Sequence, residues 1–332
     1  LSIRRQRQMC IRDSVNTGVK HMKAGIAFEI LVKRILINVG FSEVQSDGTY
    51  IYDGSSGQML QGLGEAHNAD VLLEPPVQTP FLNKIRLLVE CKDYKRKVGL
   101  DVVRDALGLR EDVNHFELVD TNELLSKKTQ RRQGIINFHE RYSYQVAIAS
   151  MSGYSIQAQK FAATHRIPLI EFDKMGFWTD FRSVLHDISN NDSLFYEEQK
   201  ARIIRFADDI GRRMAVAITN SGQIIFLHRE IGETTKFSEN YDLFWVSKRL
   251  PWKMTSGGCQ YCFQLPEGIM EQWLANVTNE FEMRKEAINC KKEFLSNMLV
   301  YYKENGKPAV SMISINQHKL KEAKERLKNN EQ

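Results

Sequence analysis

The chain has 332 residues, 42% of them hydrophobic and 26% charged, with a formal net charge of +5. Such a length favours two domains, and such a composition builds an ordinary packed core, which excludes collagen-like, low-complexity and disordered classes. No apolar run is long enough to span a bilayer, and no apolar stretch follows the charged start, so neither a transmembrane helix nor a signal peptide is expected. Residues 1–14 open on Leu1 and read like a translated sequencing-library adaptor, so they are expected to be non-native. They hold Arg4, Arg5, Arg7 and Arg12 against Asp13, and without them the net charge falls to +2. Overall basicity is then no argument for nucleic acid, and local charge has to carry one.

Met22 to Val39 places Ile26, Ile30, Leu31, Ile35 and Val39 at helical spacing and stops at Gly40, which predicts a helix. Ser46 to Gly64 is polar and Gly-rich, a loop or weak hairpin. Strands are predicted at about 69–73 and 85–91, with Pro75, Pro76 and Pro80 breaking regular structure between them. A helix over Leu100–Leu109, a strand over Tyr144–Ser150, a helix over Ser155–Thr164 and a strand over Ile167–Phe172 complete a three-layer α/β domain, residues 15–180. An insertion at about 113–143 carries Lys127, Lys128, Arg131 and Arg132, either a track along a phosphate backbone or a solvated helix face.

Residues 198–332 read as a separate α+β module. Met214–Thr219 and Gln223–His228 flank Asn220, Ser221 and Gly222, a hairpin signature, and Tyr241–Val246 with Gln260–Gln264 extend that sheet. Pro266 opens a helix predicted to run to about Tyr302, and Asn316 to Asn330 forms a charged amphipathic tail. The five cysteines are too sparse for a disulfide framework, which suits a reducing cytoplasm. Cys259 and Cys262 have the spacing of half a zinc site, whose other half would have to come from Cys290 and His318; two cysteines on a strand or turn is the plainer reading.

The chemistry is concentrated in two strands. Ile85–Asp93 is an apolar run that turns abruptly charged, and Glu90 and Lys92 lie on one face of it because side chains alternate along a strand. Asp70 stands just before the apolar run Val71–Leu73. If the two strands pair, one short sheet edge carries two carboxylates and an ammonium. That set suits a hard divalent metal and a water beside it, hence phosphodiester hydrolysis. Each residue also has a structural reading: Glu90 with Lys92 as a simple ion pair, Asp70 as a cap or turn residue.

Gly25, Phe28 and Glu29 on the first helix, Gly40-Phe41, His67 to Leu72, Val89 to Tyr94, Val98 to Val103, and the late unit Ala147 to Tyr154 with Ala158, Ala162 and Ile167–Ile170 occur in that order. Over residues 22–175 this ordered set resembles the PD-(D/E)xK nucleases of the restriction endonuclease-like superfamily, in its Mrr-like, type IV restriction branch. The resemblance implies a restriction endonuclease-like core, a central mixed sheet flanked by helices, and a Mg²⁺-dependent phosphodiesterase in which Mn²⁺ can substitute. It implies Asp70 and Glu90 as metal ligands together with the backbone carbonyl of Cys91, Lys92 holding the attacking water, and Glu29 reaching the same edge from the helix. His67, Lys95 and Arg96 are candidate phosphate contacts beside structural or solvated alternatives. Two departures stand out: the insertion before the third strand, and Glu90 where many Mrr-like enzymes have glutamine.

The function expected is a cytoplasmic endonuclease acting on double-stranded DNA in restriction or antiviral defence, as a homodimer, with the C-terminal module recognising a target or a defence-system partner protein. A structure-selective repair nuclease and a non-catalytic nucleic-acid-binding protein on the same fold are the competing readings.

Overall fold

The computed structural model describes residues 22–54, 57–78, 83–116, 141–190, 194–232, 237–244, 252–265 and 279–329. Helix α1 (Ala24–Asn38) is apolar around most of its circumference. Phe28, Leu31, Val32, Ile35 and Leu36 have no exposed surface, and a helix of that kind needs neighbours on more than one side. Gly40 ends it with φ +109°, a conformation that favours glycine, and a Cβ there would lie 2.8 Å from Pro308 Cβ.

After β1 (Ser42–Glu43) the chain builds a small antiparallel sheet from β2 (Ile51–Gly54), β3 (Gly57–Gln61) and β4 (Ala66–Asn68). Of the two readings for Ser46 to Gly64, the hairpin is the one that forms: β2 and β3 pair antiparallel, and β4 extends them. Asp47 nucleates its start by accepting the N–H groups of Thr49, Tyr50 and Ile51 at 2.8, 2.7 and 3.0 Å, an Asx turn that the polar composition conceals.

The main sheet follows from β5 (Val71–Glu74), β6 (Lys84–Lys92), β7 (Tyr142–Ser150) and β8 (Leu169–Glu171), with α2 (Leu100–His115) and α3 (Ile156–His165) between them. Its order is β1-β5-β6-β7-β8; β1, β5 and β6 are antiparallel neighbours, while β6, β7 and β8 run parallel. Alternation sorts its two faces. Leu73, Leu87, Val89, Ala147, Ala149 and Ile170 pack with α1, while Leu72, Leu88, Val146, Ile148 and Leu169 pack with residues of α2 and α3. The result is a three-layer arrangement around a mixed sheet.

A short 3₁₀ turn (Phe172–Lys174), α4 (Trp178–Ser189) and α5 (Tyr196–Gly211) lead to the second half. There β9 (Met214–Thr219), β10 (Ile224–Ile231), β11 (Asn240–Phe244), β12 (Trp252–Ser256), β13 (Cys259–Phe263), β14 (Asn297–Glu304) and β15 (Lys307–Ile315) close into a seven-stranded barrel, accompanied by α6 (Glu280–Phe294) and α7 (Gln317–Asn329). The closure depends on a parallel β11–β15 pairing that local signals do not announce. The helix predicted to reach Tyr302 instead ends at Phe294. Met298, Val300 and Tyr302 alternate into the barrel interior while Tyr301 points outward, a period of two that continues the strand and not a helix.

The two halves share one hydrophobic core. Met214, Val216, Ile224 and Phe226 project outward from the barrel into the cluster that holds α1, while Ala215, Ala217, Ile225 and Leu227 fill the interior. The Phe172 ring meets Phe28 at 5.0 Å and Phe226 at 5.4 Å between centroids, bridging sheet, helix and barrel. Asp208 on α5 accepts from Arg34 Nε and Nη2 at 2.5 and 3.0 Å and from Asn38 Nδ2 at 2.9 Å, while the Met22 N–H donates to Gln199 Oε1 at 2.7 Å. Among the described residues no helix is long and apolar enough to cross a membrane.

Candidate active site

The β5–β6 register pairs Val71 with Val89, so Asp70, one residue before β5, falls beside Glu90. The contact is direct: the backbone N–H of Cys91 donates to Asp70 Oδ2 at 2.9 Å. Asn68, on β4, reaches the other oxygen, with Nδ2 3.4 Å from Asp70 Oδ1. Both carboxylate oxygens thus face a donor from the strand on either side of them. The Asn68 amide oxygen is buried without a hydrogen bond, the cost of turning its nitrogen toward Asp70.

Lys92 Nζ and Glu90 Oε2 are 2.7 Å apart, with side chains only 18% and 13% exposed. Burial opposes the charge on Lys92, yet the carboxylates of Glu90 and Asp70 outweigh it and hold the ammonium above its ordinary value. Glu29 joins them from α1. Burial first, then the charges of Asp70, Glu90 and Asp93, push its carboxyl up to about 7 against the relief that Lys92 gives. Glu29, Asp70, Glu90 and Lys92 are thereby brought within electrostatic reach of one another.

Cys91 lies between Glu90 and Lys92 on β6. Burial first, then the surrounding carboxylates with Asp70 foremost, push its thiol up and disfavour the thiolate. Lys95 and Arg96 are exposed in the turn after β6, and the Arg96 carbonyl accepts from Ser152 Oγ at 2.6 Å, which ties that turn to the loop after β7. His67 has a structural partner: Nε2 is 2.6 Å from Asp112 Oδ2 on α2, and Asp112 also accepts the Gly64 N–H at 2.7 Å. Lys127, Lys128, Arg131 and Arg132 lie outside the described residues.

Sequence reasoning missed three participants. Asn68 looked like part of a strand flank. Asp93 accepts the Gly25 N–H at the start of α1, and a Cβ on Gly25 would stand 3.3 Å from Asp93 Oδ2. Glu29 lies one helical turn beyond that tie, so Gly25 and Asp93 set the position from which it reaches the site. Asp112, far along the chain, holds the turn before β4 and had no local signal.

A zinc site does not form from Cys259 and Cys262. Three residues apart on β13 they face opposite sides, Cys259 into the barrel and Cys262 outward to hydrogen-bond Glu230, while His318 pairs with Glu322 at 3.2 Å. The side chain of Cys290 lies outside the described residues. Among the described residues no three His, Cys, Asp or Glu side chains stand close enough to chelate an ion by themselves.

No protein-family model matches the chain, and no curated protein matches its sequence. One solved structure with similarity is that of the protein of unknown function AF1548, at 15% identity and a TM-score of 0.29, over 57% of this chain and 97% of that one. A likeness that loose carries no argument about either protein.

Proposed function

We propose that this protein is a metal-dependent endonuclease with a restriction endonuclease-like core, hydrolysing phosphodiester bonds of double-stranded DNA. The observation that carries the reading is the meeting of Asp70 with Glu90 and Lys92 at one edge of the mixed sheet, made by strand register and by the Cys91 N–H bond to Asp70. The donor set fits Mg²⁺ without a protein cage, since that ion is usually held by one or two carboxylates, waters and a substrate phosphate. Asp70, Glu90 and the Cys91 carbonyl would hold it. The neighbouring carboxyl of Glu29, held up at about 7 by burial and then by the charges of Asp70, Glu90 and Asp93, fits a place where a cation would be accommodated.

When bound, such an ion lowers the pKa of a water and neutralises charge on the scissile phosphate. The chain's own part is positional. Asn68 and the Cys91 N–H orient Asp70. Lys92, kept charged by Glu90 and Asp70, presents an ammonium to the attacking oxygen or to the phosphate as negative charge builds there. Glu29, able to exchange a proton near neutrality, suits orienting water. Lys95 and Arg96, both exposed, would meet the DNA backbone, and a double-strand break would call for a second copy of the chain.

One observation favours binding without catalysis: the Lys92–Glu90 ion pair engages both groups with each other. A single experiment separates the readings. Plasmid and linear duplex DNA, methylated and unmethylated, are incubated with Mg²⁺ or Mn²⁺ and with wild type or Lys92→Ala. Metal-dependent cutting lost in the variant supports the nuclease; DNA binding by both proteins with cutting by neither supports the binding role.

A further inference from the structure

Alongside β8, the last strand of the main sheet, lies a cavity of about 430 Å³ that the chemistry above does not use. Ile170, Glu171 and Phe177 form one wall from the sheet half; Phe226, His228 and Cys262 form the other from the outer surface of β10 and β13. A largely apolar chamber of this size, at the junction of two parts of a fold and with a few convergent polar groups, is the usual form of a small-molecule site.

Charge and shape narrow the occupant. Glu230 at the cavity is already paired with Lys253 at 3.2 Å and accepts the Cys262 thiol, and Glu171 shares the space with Lys174. With Arg213 and Arg229 near His228 as well, charges of both signs surround the cavity, and its lining of Glu171, Lys174 and Glu230 presents no cluster of one sign to select an ion. Burial, then the charge of Arg213, hold His228 below its ordinary value, so at neutral pH it offers one ring donor and one acceptor. Phe177 and Phe226 contribute flat apolar surfaces, which suit a ring better than a flexible chain. Glu230 keeps acceptor capacity for a donor on the ring's edge.

We propose that this cavity binds an uncharged planar nitrogen heterocycle of nucleobase to nucleoside size, stacked on the phenyl groups and hydrogen-bonded through His228 and Glu230. The site is separate from the candidate active site but close to it. Glu171 aligns with Ser150, and Ser150 with Lys92, so two strand spacings of roughly 5 Å each lie between them. Occupancy therefore does not require Lys92, and the proposal does not depend on the nuclease reading.

The test is calorimetric titration and thermal melting of the full chain with the four ribonucleosides and their free bases. Wild type and Lys92→Ala should bind at least one of them saturably and equally. Glu230→Gln, at an exposed position that leaves the fold intact, should weaken that binding about tenfold, the loss of one charge-assisted hydrogen bond. Cys262→Phe fills the chamber from the barrel wall and should abolish binding while circular dichroism is unchanged. Absence of binding to every base and nucleoside at millimolar concentration overturns the proposal, as does affinity unaltered by Glu230→Gln or binding that survives in a folded Cys262→Phe.

Discussion

Replacing Glu29 by glutamine removes a titration whose effect on stability has a definite sign. The carboxyl stands at about 7 in the folded protein against an ordinary value of 4.5, with burial the first cause and Asp70 the second. The folded state therefore holds the proton more tightly than the unfolded chain. The stability this contributes is fully present below 4.5 and is lost as pH rises through 7. At face value the difference amounts to about 3.4 kcal/mol, and the partial exposure of Glu29 brings it to about 2 kcal/mol. Glutamine is neutral throughout, so urea unfolding without divalent ions, compared at about pH 5 and about pH 8.5, should show wild type losing about 2 kcal/mol relative to Glu29→Gln. Addition of Mg²⁺ at the higher pH should restore much of that loss to wild type and little to Asp70→Ala. Wild-type and Glu29→Gln stabilities that run parallel between the two pH values would refute the raised Glu29 carboxyl, burial and neighbouring acids together, on which this reasoning rests.

Asp70→Ala and Lys92→Ala should each lower metal-dependent DNA cleavage by about 100-fold or more while leaving the folded circular dichroism intact, assayed on supercoiled plasmid. Asp208→Ala removes the acceptor for Arg34 and Asn38, and with Arg34 37% exposed the urea-measured loss should be about 1–2 kcal/mol. Because its hydrogen bonds with Arg34, above all, hold the Asp208 carboxyl below 3.8, that loss should appear above pH 3.8 and fade as pH falls through the lowered value. Gly62→Ala would drive a Cβ into the Asp112 carboxylate and to within 2.7 Å of the Glu65 carbonyl oxygen, which should cost about 2–3 kcal/mol and open the small sheet to limited proteolysis. Tyr154→Phe strips a buried hydroxyl from the carbonyls of Ile148 and Ile170, 2.6 and 3.2 Å away, and should lower stability by about 1 kcal/mol in thermal melts.

The main sheet was legible because its strands are buried on both faces and read as continuous apolar runs, and because α1, α2 and α3 end or begin at clear signals. Asp70, Glu90 and Lys92 were legible for a related reason: charge at the end of a strand built for burial has to be accounted for. The barrel was not. Its closure joins β11 to β15 across more than sixty residues, and no window of sequence contains both partners. Tyr302 misled because Met298 to Tyr302 is apolar at nearly every position, which fits a buried helix as well as a strand. Asn68 and Asp112 act through partners fixed only by the folded register.

Helix α1 connects these observations. One side of it packs on the sheet face that includes Val89 of β6, and its first turn is tied to Asp93 through the Gly25 N–H. Further along, Arg34 and Asn38 bind Asp208 on α5, and Gly40 admits Pro308 of the β14–β15 hairpin. Glu29 lies between the two sets of contacts. A displacement of the barrel, through α5 or through Pro308, therefore acts on the same rigid element that carries Glu29 to Asp70 and Glu90. Packed helices resist bending and transmit shifts as whole bodies, so a contact made on the barrel surface reaches the acidic cluster as a change in the position of one carboxyl group. That makes Glu29, more than Asp70 or Lys92 on their own sheet edge, the residue through which the C-terminal half would influence chemistry. Asp208→Ala tests the coupling as well as the stability: if α1 conveys it, the variant should shift the pH dependence of Glu29 while leaving the Lys92–Glu90 pair in place.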